Sequence, residues 1–173
     1  MRTNKLKAAV RDIPDFPKPG IGFKDITPIL ADAGLFKKAV DVFVQRHRKH
    51  GISKVAAVDA RGFLFGGAVA RRLGAGLVPI RKKGKLPYKT FEATYDLEYG
   101  TATIALHQDA FQPGEAVLLI DDVLATGGTA AAAVELIRKA GGRVVEADFL
   151  IELSFLNGRS KLPDCGVFAP IVF

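Results

Sequence analysis

The chain has 173 residues, 49% hydrophobic and 25% charged, the size of one domain and an ordinary globular composition that argues against disorder. No apolar run approaches the roughly 20 residues of a membrane helix, and the opening MRTNKLKAAVRDIPDF lacks the sustained apolar segment of a secretory signal. The net charge of +7 favours anionic partners, either nucleic acid or a phosphorylated small molecule, and the lone Cys165, which allows no internal disulfide, points to a reducing cytoplasmic location.

In chain order, Leu6, Ala9, Val10 and Ile13 have helical spacing over residues 3–12, and Pro14, Pro17 and Pro19 end the pattern. DFPKPGIGFKDITPIL (15–30) is too rich in proline and glycine for regular structure and reads as an ordered loop. Phe36, Ala39, Val40 and Phe43 share one face of a helix expected over 33–49 and stopped by Gly51. The basic cluster RHRKH (46–50) closes that helix, where cations complement the helix dipole. KVAAVDA (54–60) reads as a buried strand, GGAVARRLG (66–74) as a helix closed by Gly74, and GLVPIRKK (76–83) as a second strand. A second basic cluster, RKKGKLPYK (81–89), runs into a loop marked by Gly84 and Pro87 and is either functional or a solvated surface. That loop extends to residue 95, after which TATIAL (101–106) alternates as a strand does, and Pro113-Gly114 turns the chain into a strand over 116–120. An alanine-rich helix over 129–140 ends at Gly141-Gly142, and RVVEADFLIEL (143–153) supplies another strand. Short apolar strands alternating with helices predict an α/β fold with a parallel sheet covered on both faces. No repeat or interdomain linker interrupts it, so residues 1–173 read as a single domain. The cations lie in two clusters instead of an extended stripe interleaved with aromatics, so nucleic acid is not expected as a partner.

The most informative stretch is VLLIDDVLATGGTA (117–130). In a parallel α/β sheet, ligands bind beyond the carboxyl ends of the strands. Small residues there let backbone N–H groups converge at a helix N-terminus, and Thr126 and Thr129 add hydroxyls, which together make a phosphate cradle. The stretch lacks the GK[ST] ending of a Walker A loop, and its adjacent glycines do not fit the dinucleotide fingerprint. Asp121 and Asp122 would repel a phosphate, so they must face another part of the ligand. Two acceptors suit a pair of sugar hydroxyls, with a magnesium ion nearby, and the whole describes a ribose 5-phosphate.

The hydrophobic strand, the Asp pair and the ATGGT run resemble the phosphoribosyl pyrophosphate (PRPP) binding motif of type I phosphoribosyltransferases. The likeness to the adenine-using members of that family extends over nearly the whole chain. It includes DFPKPGIGFKDITPIL (15–30), DARGFLFG (59–66), IRKKGKLP (80–87) and YDLEYGT (95–101), in family-like order and spacing. The resemblance implies a central, mostly parallel sheet flanked by helices, a small N-terminal base-binding hood (about 1–35) and a flexible catalytic loop (84–100). It also implies transfer of the 5-phosphoribosyl group from PRPP to N9 of adenine, giving AMP and pyrophosphate for purine salvage in the cytoplasm. Magnesium, held mainly by the substrate, and a homodimer come with it.

Residue by residue, the resemblance assigns the ribose and 5′-phosphate to Asp121, Asp122, Ala125, Thr126, Gly127, Gly128 and Thr129. Pyrophosphate falls to Arg61, Arg81, Lys82 and Lys85, with a cis Asp59–Ala60 peptide and with the 81–85 segment meeting the neighbouring subunit's site. The adenine site is Gly22, Phe23 and Lys24, recognised mainly through backbone groups of Ile21–Asp25; Phe23 either stacks on the purine or belongs to the core. Gly22 stands where relatives usually carry a larger apolar residue, which bears on strictness for adenine. Residues 84–100 form a long irregular stretch of the kind that closes as a lid against water. On it, the resemblance makes Glu98 the catalytic candidate for handling the purine proton and Tyr99 its lid neighbour, with Glu92 as the rival carboxylate and water or PRPP itself as other acceptors. Two other functions fit parts of the pattern: a transferase for hypoxanthine or guanine, and a PRPP-sensing regulator without catalysis. The first ~50 residues are taken up by the base loop and two helices, leaving no winged-helix extension of the kind such a regulator needs.

Overall fold

The computed structural model of the protein describes residues 3–16, 18–96 and 100–173. The chain begins with a short helix α1 (Asn4–Ala9), a strand β1 (Arg11–Ile13), a strand β2 (Phe23–Asp25) and a helix α2 (Thr27–Ala31). The longer helix α3 (Ala33–His47) leads into β3 (Lys54–Val58), α4 (Arg61–Leu73) and β4 (Gly76–Lys82). Then follow β5 (Thr90–Asp96), β6 (Thr101–His107), β7 (Ala116–Leu124), α5 (Gly128–Lys139) and β8 (Arg143–Glu152). Two 3-10 turns (Ser154–Leu156 and Gly158–Lys161) precede the short strands β9 (Val167–Phe168) and β10 (Ile171–Val172).

The main sheet runs β10-β8-β7-β3-β4-β6-β5, with β9 also on β8. Its ladders are parallel from β10 to β4 and antiparallel in β4–β6 and β6–β5. Central strands are apolar throughout because both faces are covered. On β7, Val117 and Leu119 join the core under α5, while Leu118 and Ile120 join the core under α3 and α4. Phe43 of α3 and Phe65 of α4, both fully buried, meet edge-to-face with ring centroids 6.3 Å apart. Burial of each is worth about 1.5–3 kcal/mol. Among the described residues no helix is long and apolar enough to cross a membrane.

Several elements differ from the sequence expectation. The first helix stops at Ala9, because Val10 is extended and Arg11–Ile13 pair antiparallel with Phe23–Asp25. An apolar spacing of Leu6, Ala9, Val10 and Ile13 satisfies a helix, but a partner strand decides the last two. The expected loop over 15–30 therefore contains β2, and also α2, whose start is set by Asp25 accepting hydrogen bonds from the Thr27 amide (2.9 Å) and hydroxyl (2.7 Å), with Pro28 in the first turn. Helix α4 begins at Arg61 instead of residue 66, directly after a β3 that ends at Val58. The strand expected over 116–120 runs on through both aspartates to Leu124, since β8 stays paired alongside as far as Glu152 after β3 has ended. The largest difference lies in 84–100: residues 90–96 are a strand in full register with β6 from Thr90↔His107 to Asp96↔Thr101. Its alternation, with Phe91, Ala93 and Tyr95 packed inward, is hidden in the sequence by the GKLPYK lead-in at 84–89, whose Gly84 and Pro87 read as a loop.

Candidate active site

A cleft of about 790 Å³ opens above the carboxyl ends of β3 and β7 and is walled by β6. Asp59, Arg61, Lys82, Asp121, Asp122 and Thr129 line it. Two helix N-termini point toward it, α4 after the cis Asp59–Ala60 peptide and α5 after Gly127. Unpaired first-turn N–H groups and the helix dipole give both ends positive potential. The cis peptide is the one the sequence reading placed there.

Residues Ala125–Thr129 curl around a small hollow of about 70 Å³ floored by Asp121 and Phe149. Gly127 makes the turn with φ +81°, a conformation that costs a side-chain-bearing residue. Thr129, on the first turn of α5, donates its hydroxyl to the Tyr95 phenol oxygen at 3.0 Å. Tyr95 also packs against Gly128, where an added Cβ would stand 3.1 Å from its ring. The sequence reading missed Tyr95, although the TFEATYD alternation carries its signal.

Asp122 is buried and ion-pairs with the Nε of Arg61, whose side chain is half-exposed. Burial is the largest single influence and works against the Arg61 charge, but the Asp122 hydrogen bond and the charges of Asp122, Asp121 and Asp25 together outweigh it, and the guanidinium holds its proton more tightly than usual. Asp121 accepts the Asp122 amide at 2.8 Å. Burial first, and then the charge of Asp122, push the Asp121 carboxyl well above the usual range. Gly62 permits this packing: a Cβ there would lie 2.9 Å from Asp121 Oδ1.

On the β4 side, Arg81 donates Nε to Asp59 at 3.1 Å and Nη1 to the Lys85 carbonyl at 3.1 Å. Lys82 faces the cleft, and so does Lys83, which the sequence reading did not single out and which pairs with Glu92 at 2.8 Å. Lys85 is exposed and contributes its carbonyl to Arg81. Glu92 thus has a cationic partner already, while Glu98 and Tyr99 lie outside the described residues.

At the base loop, the Phe23 ring lies 5.6 Å from the Arg61 guanidinium and meets Phe16 edge-on at 5.2 Å. Phe23 is half-buried, so it borders the site instead of sitting in the core. Lys24, its neighbour in β2, is tied to Asp12 and lies over the Phe173 ring at 4.2 Å. Successive strand residues face opposite sides, so the Lys24 side chain is directed away from the Phe23 face. Gly22 is exposed, and nothing lies within 4 Å of where a Cβ would stand. Asp25 is held below the usual carboxylate range by the Thr27 amide and hydroxyl, and the nearby Arg11 and Arg61 charges add to this.

The arrangement places convergent N–H donors, carboxylates and cations in one cleft, as the sugar-phosphate reading requires. Comparison with known proteins agrees. Residues 27–163 match the phosphoribosyl transferase domain family. The chain is 60% identical over 158 residues to adenine phosphoribosyltransferase from Acidothermus cellulolyticus, covering 91% of this chain and 89% of that protein. The crystal structure of adenine phosphoribosyltransferase from Thermoanaerobacter pseudethanolicus superposes with a TM-score of 0.94 at 47% identity, covering 98% of both chains. That of the Saccharomyces cerevisiae enzyme, complexed with an imino-altritol bisphosphate and adenine, superposes with a TM-score of 0.94 at 42% identity, again over 98% of both. The fold is that of type I phosphoribosyltransferases, and the chain belongs to their adenine phosphoribosyltransferase family.

Proposed function

We infer that the protein transfers the 5-phosphoribosyl group from PRPP to N9 of adenine, forming AMP and releasing pyrophosphate. The observation that carries this reading is that the hollow of loop 125–129 and the cleft holding Arg61 and the Asp pair share Asp121 and Thr129 as lining residues, with Phe23 beside Arg61. Loop 125–129 takes the 5′-phosphate on its N–H groups and the α5 dipole. Asp121 and Asp122 accept the ribose hydroxyls. Arg61, the backbone of 59–62, Arg81, Lys82 and Lys85 receive pyrophosphate, with Arg81 suited to bidentate contact and each lysine acting as a point charge. Phe23 stacks on adenine while backbone groups of 21–25 read its amino group and N1.

The reaction forms the N9–C1 bond as the C1–O bond to pyrophosphate breaks, so positive charge grows on the ribose and negative charge on the leaving group. Holding the two reactants in line and meeting those charges with fixed groups lowers the barrier. The N9 proton leaves to a carboxylate, for which Glu98 is the candidate by family resemblance. The oxygen donors of Asp121 and Asp122 fit a hard cation, but Arg61 already engages Asp122, so magnesium is held mainly by the substrate. When bound, it would supply positive charge to offset the negative charge developing on the departing pyrophosphate. A homodimer is supported by Leu64 on α4 and Leu77 on β4, each 47% exposed on adjoining elements. A cytoplasmic location accords with the single cysteine.

The test incubates the protein with PRPP, magnesium and adenine, hypoxanthine or guanine in turn and follows nucleotide formation. AMP from adenine alone is the expected outcome. Turnover with only a 6-oxopurine would overturn the substrate, and none with any base would overturn the enzyme reading. Light scattering on the eluted protein reads the dimer directly.

A further inference from the structure

Against loop 125–127 packs a second turn that the reaction chemistry leaves unused. A Cβ on Gly127 would collide with the Gly158 carbonyl oxygen and stand 3.1 Å from Gly158 Cα. Reciprocally, a Cβ on Gly158 would collide with the Ala125 carbonyl oxygen and stand 3.1 Å from the Gly127 nitrogen. The two backbones are therefore in direct contact, with no room for a side chain on either. Gly158 is buried, and its turn is shaped by Asn157 at φ 51° and closed by the Ser160 hydroxyl donating to the Asn157 carbonyl at 2.7 Å.

Arg159 holds this turn in place with three hydrogen bonds to two partners. Its Nε and Nη2 each donate to a Glu152 carboxylate oxygen at 2.7 Å, and its Nη1 donates to the Val167 carbonyl of β9 at 2.8 Å. Glu152, 6% exposed, is the last residue of β8 and the register partner of Leu124, which ends β7 immediately before the loop. The Leu153 amide donates to the Leu124 carbonyl at 2.9 Å. A guanidinium fork on a carboxylate fixes orientation as well as distance, which a lysine does not reproduce.

We propose that the Gly158 turn, clamped by the Arg159–Glu152 pair, is a rigid wall that sets the shape of loop 125–127, making Arg159 a positioning residue for the 5′-phosphate. The proposal deepens the function inferred above and rests on that reading for the identity of the ligand. The phosphate is held by backbone N–H groups, which have no side-chain freedom with which to adjust. Their directions are set only by what the loop rests on. A displacement of about 1 Å in such a cradle is enough to cost orders of magnitude in use of the ligand.

The experiment compares the wild type with Gly158→Ala, Arg159→Ala, Arg159→Lys and Glu152→Gln. Steady-state kinetics give KM for PRPP and for adenine, calorimetry gives Kd for ribose 5-phosphate, and circular dichroism checks folding. Gly158→Ala and Arg159→Ala are expected to raise KM for PRPP and Kd for ribose 5-phosphate by roughly tenfold or more, with KM for adenine and kcat within about twofold. Arg159→Lys should recover only part of the loss. Should Gly158→Ala not fold, Arg159→Ala and Glu152→Gln carry the test. Folded variants with unchanged ribose 5-phosphate binding, or with equal losses for PRPP and adenine, would overturn the wall. The binding measurement needs no turnover, so a wild type inactive on adenine would sink the function and still leave the wall tested.

Discussion

Arg61, on the first turn of α4, and Asp122, within β7, are ion-paired at the wall of the cleft, with the Phe23 ring 5.6 Å from the same guanidinium. One cation thus touches the strand that carries the acidic pair and the loop proposed for the base. With its side chain half-exposed, Arg61 is free to turn one donor edge toward a ligand while Nε stays on Asp122. Replacing it by alanine removes a charge-assisted contact to pyrophosphate and leaves a buried carboxylate without its partner. The expected result is a loss of about 1.5–3 kcal/mol in kcat/KM for PRPP, roughly 10- to 100-fold. Steady-state kinetics with PRPP varied at saturating adenine check this, and an unchanged kcat/KM would remove Arg61 from the site.

Asp121 makes a pH prediction. Its carboxyl is pushed well above the usual range by burial and by Asp122, so it keeps a proton to higher pH than an ordinary aspartate. Only the ionised form accepts hydrogen bonds on both oxygens from ribose hydroxyls. KM for PRPP should therefore fall as pH rises through this titration. Asp121→Asn should flatten that part of the profile and raise KM by roughly tenfold on its alkaline side. The ratio of mutant to wild-type KM across pH, which cancels the ionisation of PRPP itself, is the measurement. A ratio independent of pH would show that Asp121 does not act as an ionised acceptor.

Tyr95 and Thr129 link the β5–β6 arm to α5 through the 3.0 Å hydroxyl contact. Tyr95→Phe keeps the ring against Gly128 and deletes that bond. The expected cost is about 0.5–1.5 kcal/mol of stability. Thermal unfolding reads it; a Tm equal to wild type would mean the bond contributes nothing net.

On β8, in register with Ile120 of β7, Asp148 is fully buried and bonded to His47 Nε2 at 2.7 Å, with its other oxygen unpartnered. Glu146 lies 3.4 Å from the same nitrogen and is gripped by Arg46, while His50 Nδ1 faces His47 Nδ1 at 3.3 Å. Burial pushes Asp148 up to about 6, whereas the Arg46 hydrogen bond holds Glu146 below its usual range. The native state thus keeps the Asp148 proton where the unfolded chain has lost it. Its contribution to stability is full below about pH 4 and is lost as pH rises to about 6. Glu146 has the opposite sign, contributing above the usual carboxylate range and losing its contribution as pH falls. Asp148→Asn should remove only the first effect and gain on wild type by up to about 3 kcal/mol between pH 4 and 7. Urea unfolding at a series of pH values checks it, and a difference that stays flat with pH would refute it.

Much of this was legible in the residues alone. The alternation of apolar strands and helices determined the α/β class, and VLLIDDVLATGGTA carried the chemistry that points to a ribose 5-phosphate. Both signals are local: periodicity reports burial, and a run of small residues after carboxylates reports what the backbone can wrap. Only the tertiary structure decided features that depend on a partner distant in sequence. Residues 90–96 are a strand because Thr101–His107 lie beside them, and β7 runs through Asp121 and Asp122 because β8 accompanies it to Glu152. The face of β2 that carries Phe23 is turned toward Arg61 by pairing with β1, which leaves Lys24 to Asp12 and Phe173. The contact of Gly127 with Gly158 joins residues 31 positions apart, and no local pattern reveals it. Strand pairing and backbone contact are satisfied between segments, so a single segment determines what it can become and its neighbours determine which of those it is.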